Sequence, residues 1–329
     1  MFQPFSGVRR PLCALLLVLG CSSPQKPPPA VVEPFPEQPQ NPFAFAPVPP
    51  ILLRDVGLAA PSAALYDPTA DVYLVSNVGG GLADADNDGF ISRVSPDGAM
   101  LELRWIDAAR SGSALNAPKG MALIGDTLFV ADIETLRAYD RTSGKSLGDV
   151  VFPGATFLED IAAGAGGILF VTDGGLGKRP GSTELGKSGT DAVYVVDAQR
   201  AVKALARGAD LGEPTALCVT KGRLLVAARA GDVFTVDRQG QRVPVGKAPG
   251  GDVHGMVLTP GGRLLVTSAA ASAVYITPAG LGQSLVLEPL LTDIETPGDL
   301  GYDPKRRQII VPLTRPNALY IQELPGGIN

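Results

Sequence analysis

The pattern of hydrophobic and polar positions repeats along most of the chain. A turn is followed by a short strand of alternating apolar residues, a Gly or Asp turn, and a nearly unbroken β-branched strand. This alternation between turn signals is typical of antiparallel strands. Six segments share it, beginning at Pro61, Pro118, Leu158, Pro214, Val253 and Pro297.

More strands are predicted in each repeat. A third strand follows in all six, as in AVYVVDA and DVFTVDR, and a weaker fourth follows in the first five, as in AMLELRWI and QSLVLEP. Successive repeats begin roughly 40 to 57 residues apart, which suits four-stranded blades with insertions in the first and third. The chain is therefore predicted to be all-β and to form a six-bladed β-propeller.

The two ends of the predicted propeller are expected to complete each other. After Pro297 the chain has room for three strands but not four, while residues 51–57, ILLRDVG, read as a strand with no partner before the first repeat. Pairing this N-terminal strand with the last blade would close the ring and remove open sheet edges. Closure needs no second copy of the chain, so a monomer is predicted.

The segment before the first predicted strand has a different character. Residues 1–20 carry Arg9 and Arg10 and then an apolar run too short to span a bilayer, which indicates an export signal. Residues 21–50 are rich in proline, which cannot form a hydrogen-bonded ladder, and this predicts an extended tether. The propeller is predicted to occupy residues 51–329.

The end of the signal, VLGC at residues 18–21, resembles the lipobox of bacterial lipoproteins. The resemblance implies cleavage before Cys21, a lipid on its sulfur and a membrane as partner. Ser22 favours the outer membrane, facing the periplasm or the cell surface. An ordinary signal peptide with an incidental cysteine is the alternative.

With Cys21 lipidated, Cys218 is the only free thiol. Its place in an apolar strand predicts a small buried hydrophobe.

Charge and motif content exclude two classes of function. The formal net charge is −5 at pH 7, so no basic surface for nucleic acid is expected. A serine triad is not supported either, because the chain has no G-x-S-x-G segment and has a single histidine, His254.

Three segments, PSAALYDPTADVYLVSN, NAPKGMALIGDTLFVADIETLRAYD and DLGYDPKRRQIIVPL, resemble the gluconolactonase and senescence-marker propeller superfamily, specifically its bacterial secreted branch. The resemblance covers about residues 51–325. It implies a divalent cation at the channel mouth, held by a glutamate in the first repeat and by Asn or Asp in later ones, that polarises a lactone carbonyl. In this chain Ser62 stands in the place of that glutamate, which argues against the same metal chemistry.

Aligning the starts of the innermost strands predicts which side chains surround the channel. Small residues such as Gly120 and Gly255 are expected in the second position of each repeat, because backbones crowd near the axis. The first position is occupied in turn by Ser62, Lys119, Glu159, Thr215, His254 and Gly298.

Two functions remain open for this ring. The first is a binding or scaffold module for a small ligand, a glycan or a protein, with Ser62, Thr215 and Asp299 as ligand contacts. The second is a metal-dependent hydrolase of lactones or related esters. An ion pair between Lys119 and Glu159 would favour the scaffold.

In the hydrolase, imidazole with carboxylates suits Zn, Mn or Fe better than Ca. The predicted catalytic groups are Glu159 and His254, with Lys119 stabilising an oxyanion. The predicted ligands of the central metal are Glu159, Asp160, His254 and Asp299.

A separate calcium site is predicted in the first insertion. In DADNDGFIS, the carboxylates of Asp84, Asp86 and Asp88 precede Gly89 as in the first half of a calcium loop. The twelfth position is Ser95 rather than glutamate, and a strand follows rather than a helix. A structural calcium ion and a solvated acidic loop are both open.

Two further features concern the ends of the second strands. Asn77, Asp132 and Asp173 recur there, and their side chains are predicted to bond the backbone of the turn as part of the scaffold. Residues 174–190 form the insertion of the third blade. Ligand recognition and surface filler are both open for this loop.

Overall fold

The computed structural model describes residues 49–179, 181–237, 239–282 and 284–326. Strands form six four-stranded antiparallel sheets and one two-stranded hairpin. The sheets are six propeller blades, as predicted. Helical structure in these ranges is limited to α1, Ala108–Ser111, and two short 3-10 turns, Ala165–Gly167 and Ala209–Leu211. None of the described helices is long and apolar enough to cross a membrane.

The first three blades follow the repeats from the innermost to the outermost strand. Blade 1 is β2 (Pro61–Asp67), β3 (Val72–Asn77), β4 (Phe90–Val94) and β5 (Met100–Asp107). Blade 2 is β6 (Pro118–Ile124), β7 (Thr127–Asp132), β8 (Thr135–Asp140) and β9 (Ser146–Val151). Blade 3 is β10 (Leu158–Ala163), β11 (Leu169–Asp173), β14 (Ala192–Val196) and β15 (Val202–Arg207), with the inserted hairpin β12 (Leu176–Lys178) and β13 (Leu185–Lys187).

The last three blades include the predicted closure. Blade 4 is β16 (Pro214–Thr220), β17 (Arg223–Ala228), β18 (Asp232–Val236) and β19 (Arg242–Lys247). Blade 5 is β20 (Val253–Leu258), β21 (Leu264–Ser268), β22 (Ala273–Ile276) and β23 (Glu288–Leu291), the last beginning five residues later than QSLVLEP predicts. Blade 6 is β24 (Gly301–Asp303), β25 (Gln308–Leu313), β26 (Ala318–Glu323) and β1 (Ile51–Leu53).

The N-terminal strand closes the ring, as predicted. β1 pairs antiparallel with β26 in the register Ile51↔Ile321, Leu52↔Tyr320 and Leu53↔Leu319. It is shorter than the predicted strand 51–57, since only its first three residues form the ladder. Leu53 is 5% exposed and packs in an apolar layer with residues of blades 1 and 6, whereas Leu52 is 42% exposed.

The core consists of one apolar layer between each pair of neighbouring blades. Six buried clusters lie between blades 1 and 2, 2 and 3, 3 and 4, 4 and 5, 5 and 6, and 6 and 1. Each inner strand is buried on both faces by its neighbours. This explains the nearly unbroken β-branched runs that mark the second strand of every repeat.

Backbones crowd at the axis, as the small residues predict. A Cβ at Gly120 would lie 2.6 Å from the Cα of Asp160, and a Cβ at Gly255 would lie 2.6 Å from the Cα of Asp299. Both contacts are with backbone atoms of the next blade, so a side chain at either glycine would push two blades apart.

Two carboxyl groups meet inside the channel. Asp160 of blade 3 and Asp299 of blade 6 belong to blades on opposite sides of the axis, and their side chains share a hydrogen bond. Asp160 also accepts from the backbone N–H groups of Ile161 and Leu217, both at 2.6 Å. Burial raises the pKa of Asp160 to about 7, and burial together with the Asp160 charge raises the pKa of Asp299 well above its usual value. Two carboxyl oxygens can share a hydrogen bond only if one carries a proton, so this contact favours a protonated form of the pair.

The N-terminal closure predicts a clear contrast between two adjacent leucines. Leu53→Ala removes buried methyl groups from the layer between blades 6 and 1 and should lower the free energy of unfolding by about 2–5 kcal/mol. Leu52→Ala is the matched control on the exposed face of the same strand and should change it little. Urea denaturation measures both, and equal effects of the two changes would contradict the closure.

The carboxyl pair predicts that stability falls as pH rises. The native state keeps protons that the unfolded chain releases near pH 4. The contribution of the pair to the free energy of unfolding is therefore complete below that pH and is lost as pH rises through about 7. The urea midpoint of the wild type should therefore decrease between pH 5 and pH 8. Asp299→Asn should flatten this decrease, because an amide donates to Asp160 without a titrating proton. Asp126→Asn, in an exposed turn, is the control, and a slope that is the same in all three proteins would refute the pairing.

Candidate functional site

A cavity of about 300 Å³ opens at one end of the channel. Its lining includes the six residues that the alignment of inner strands places at the channel mouth: Ser62, Lys119, Glu159, Thr215, His254 and Gly298. That placement is confirmed. Asp299 also lines this cavity, and together with Asp160 it lines a second cavity on the other side of the carboxyl pair.

The centre of the site is Arg229, which the sequence reasoning missed. It follows the last residue of β17, and its guanidinium donates to Glu159 at 2.8 Å, to Glu213 at 3.1 Å and to Asp252 at 3.3 Å. Burial disfavours its charge, but these carboxylates, Glu159 foremost, raise the pKa of Arg229. The sequence contains one signal that points to Arg229: the residue after the second strand is charged only in the fourth repeat.

His254 is oriented by a neighbouring carboxylate. Its Nε2 lies 3.2 Å from Oδ1 of Asp252, two residues earlier in the chain. This hydrogen bond, against the opposing effect of burial, lowers the pKa of Asp252 to about 2. Asp252 therefore stays ionised and holds both the imidazole and one edge of Arg229 at the cavity wall.

Lys119 is buried, and its ammonium group is occupied by other partners. Nζ donates to the carbonyls of Leu82 at 3.1 Å and Ala117 at 3.4 Å, and it lies 4.1 Å from the centre of the Phe157 ring. Burial lowers the pKa of Lys119, an effect that the charge of Glu159 opposes. The ion pair with Glu159 is not formed, since that carboxylate pairs with Arg229.

The two hydroxyl groups that are predicted to contact a ligand differ in their hydrogen bonding within the protein. Thr215 donates from Oγ1 to the carbonyl of Val253 at 2.6 Å, which links the inner strands of blades 4 and 5. The hydroxyl of Ser62 meets no hydrogen-bond partner among the described residues, so it remains available to a ligand in the cavity.

Both insertions contribute to the mouth of the cavity. The blade 1 insertion supplies Leu82 and the hairpin of blade 3 supplies Leu176 as lining residues. The two insertions are joined by an ion pair of 2.6 Å between Lys178 Nζ and Asp84. Through Leu176, the insertion of the third blade therefore contributes to the cavity wall.

The residues at the mouth do not fit a divalent cation as the family resemblance implies it. Three cationic residues, Lys119, Arg229 and Arg315, line the cavity, and Glu159 is bonded to Arg229. Asp160 and Asp299 bond each other below the mouth. Within the described ranges, no three His, Cys, Asp or Glu residues are grouped so that they could hold a metal ion. This includes the loop with Asp84, Asp86 and Asp88, whose calcium site stays a prediction.

The polar residues at the ends of the second strands are scaffold, as predicted. Asp132 accepts from the backbone N–H groups of Asn116 and Ala117 at 2.8–3.2 Å. Asp173 accepts in the same way from Phe157 at 3.1 Å. These carboxylates fix the chain where it enters the innermost strand of the blade, and so position the first residue of that strand at the cavity.

Cys218 is not among the lining residues of the mouth cavity. Cys218 is buried in blade 4, and burial raises the pKa of its thiol to about 12, as expected for a small hydrophobe. Cys21, the predicted signal and nearly all of the tether lie outside the described residues.

Comparison with known proteins supports the fold. No family model matches the chain, and no curated protein sequence matches it. Among solved structures, a gluconolactonase of Xanthomonas campestris, described as important in glucose secondary metabolic pathways, matches with a TM-score of 0.61 and 16% sequence identity. The match covers 84% of this chain and 90% of that chain. The chain is thus similar in fold to a gluconolactonase, and its six blades are those of a β-propeller.

Proposed function

We propose that this protein is a binding module that holds a small, polar, uncharged ligand, such as a sugar or polyol, in the channel-mouth cavity. The observation that carries the proposal is that one residue at or just before the start of each of the six inner strands lines a single cavity of about 300 Å³. A volume of this size is at the lower end of the range for small-molecule sites.

The charges around the cavity favour an uncharged ligand. Arg229 is already neutralised by three carboxylates, and one of these, Glu213, also pairs with Lys187 at 2.8 Å. Lys119 has two carbonyls and an aromatic face as partners. A charged ligand placed against Glu159 and Arg229 would have to separate a pair that is largely shielded from water, which is costly, whereas Arg315, the third cation of the lining, is exposed to solvent. A neutral ligand can accept from Arg229 and donate to Asp252 or His254 without separating that pair.

The wall also offers apolar surface beside these polar groups. Phe157, Leu82 and Leu176 line the cavity together with Pro297. Sugars and polyols present C–H faces as well as hydroxyls, so a cavity with both kinds of wall suits them better than a purely apolar molecule.

The cellular setting belongs to the same proposal. The lipobox-like VLGC segment and the proline-rich run after Cys21 support a lipid-anchored propeller held away from a membrane surface. We place it at the outer membrane, facing the periplasm or the cell surface, and as a monomer. Mass spectrometry of the membrane fraction would detect diacylated Cys21, and Cys21→Ser would release the propeller from that fraction.

A hydrolase of lactones or related esters is the second candidate. The hydrogen bond between His254 and Asp252 favours it, because a carboxylate-oriented imidazole can act as a general base toward water. The similarity in fold to a gluconolactonase adds weak support. Such a reaction would rely on His254 and the Arg229 donors rather than on a metal held by Glu159.

The binding proposal predicts that only one of two neighbouring substitutions weakens ligand binding. Ala269→Trp fills the cavity from its wall and should weaken binding of the best sugar or polyol in a calorimetric panel by at least about tenfold. Ala270 is exposed and is not part of the lining, so Ala270→Trp is the matched control and should bind as the wild type does. Absence of binding across the panel, or equal affinities of the two variants, would reject the binding function.

The hydrolase is tested on the same protein with a panel of lactones and esters. If it is correct, His254→Gln should reduce turnover by about 100-fold or more, the usual contribution of a general base. Turnover that does not depend on His254, or no turnover at all, would leave only the binding function.

A further inference from the structure

We propose that the Arg229 guanidinium is the permanent cation of the channel mouth. It occupies the position between Glu159, Glu213 and Asp252, so the cavity works without a divalent metal and presents N–H donors to a neutral oxygen of the ligand. The metal part of this inference stands on geometry alone, whereas the ligand part rests on the proposed function.

Three successive blades contribute to the arrangement. Glu159 lies on β10 of blade 3, Glu213 precedes β16 of blade 4, and Asp252 precedes β20 of blade 5. Each bonds a different nitrogen of Arg229: Nη2 to Glu159, Nε to Glu213 and Nη1 to Asp252. The planar guanidinium is thus held on all its edges, and rotation of the side chain would break charge-assisted bonds.

Glu159 depends most on Arg229. Its side chain is 10% exposed, and Arg229 is its only hydrogen-bond or ion-pair partner among the described residues. A buried carboxylate without a counter-charge is strongly unfavourable, so this position requires a cation. A guanidinium meets the requirement at any physiological pH because it does not lose its proton in proteins.

Geometry explains why the same carboxylates form no metal site. A guanidinium spreads its donors over three nitrogens, so its partners lie farther apart than the oxygens around a single ion at 2.0–2.6 Å. The fixed positive charge also repels an approaching metal ion. Arg229 is the charged residue that follows the second strand in the fourth repeat alone. It thus has a definite role at the mouth.

Two N–H bonds of Arg229, one on each terminal nitrogen, meet no acceptor within the described ranges, although the side chain lines the cavity and is 26% exposed. Because the charge is already balanced by carboxylates, these donors suit a carbonyl or hydroxyl oxygen better than a carboxylate of the ligand.

The first experiment measures metal uptake. Ca²⁺, Mn²⁺ and Zn²⁺ are titrated separately to about 1 mM, the range of weak extracellular calcium sites, into the Asp86→Asn/Asp88→Asn protein, which removes any contribution of the predicted calcium loop. Calorimetry and the melting temperature should show no stoichiometric binding. One equivalent of metal that is lost on Glu159→Gln would overturn the proposal, whether or not any sugar binds.

The second experiment tests the charge balance. Arg229→Gln leaves Glu159 without its ion-pair partner and should lower the melting temperature by roughly 5 °C or more. Adding Glu159→Gln removes the uncompensated charge and should restore most of that loss. Arg242→Gln is the matched control, since Arg242 pairs with Asp232 at 3.1 Å outside the cavity. Adding Glu159→Gln to Arg242→Gln should not raise the melting temperature.

If Arg229→Gln does not fold, Arg229→Lys provides the comparison, because it keeps the charge with a different shape. A folded, metal-independent Arg229→Lys protein supports the proposal. The proposal is overturned if Arg229→Gln is as stable as the wild type, or if Glu159→Gln fails to rescue it, since the guanidinium would then serve packing rather than charge balance.

Discussion

The pairing of β1 with β26 is the constraint on which the rest of the propeller depends. Every blade is supported by an apolar layer on each side, so the ring has no position where a missing layer is tolerated. Three N-terminal residues complete blade 6 and place Leu53 between blades 6 and 1. The closed ring removes the open edge of β26 and fixes the distance of every inner strand from the axis.

Closure also explains the unusual chemistry near the axis. Six inner strands converge, so Gly120 and Gly255 must lack side chains and the polar groups between the strands are enclosed. Asp160 and Asp299 are brought together from opposite blades, and burial raises the pKa of both carboxyl groups. Both residues line a second cavity and Asp299 also lines the cavity at the mouth, where the charged network lies.

The mouth combines a rigid charged wall with an apolar surface supplied by two insertions. Arg229 connects carboxylates of three neighbouring blades, Asp252 orients His254, and Lys119 holds the carbonyl of Leu82 over the cavity. Because these groups satisfy each other without a ligand, the cavity is preorganised, which reduces the entropic cost of binding a small molecule.

The sequence by itself determined the blade count, the closing strand and the six residues at the mouth, because strand periodicity and turn signals are local and the repeats share one register. The tertiary structure alone decided the partners of those residues. Arg229 is 70 residues from Glu159 and 23 from Asp252, and no spacing rule relates them. Side-chain pairing depends on how neighbouring blades are rotated about the axis, so Glu159 pairs with Arg229 instead of Lys119.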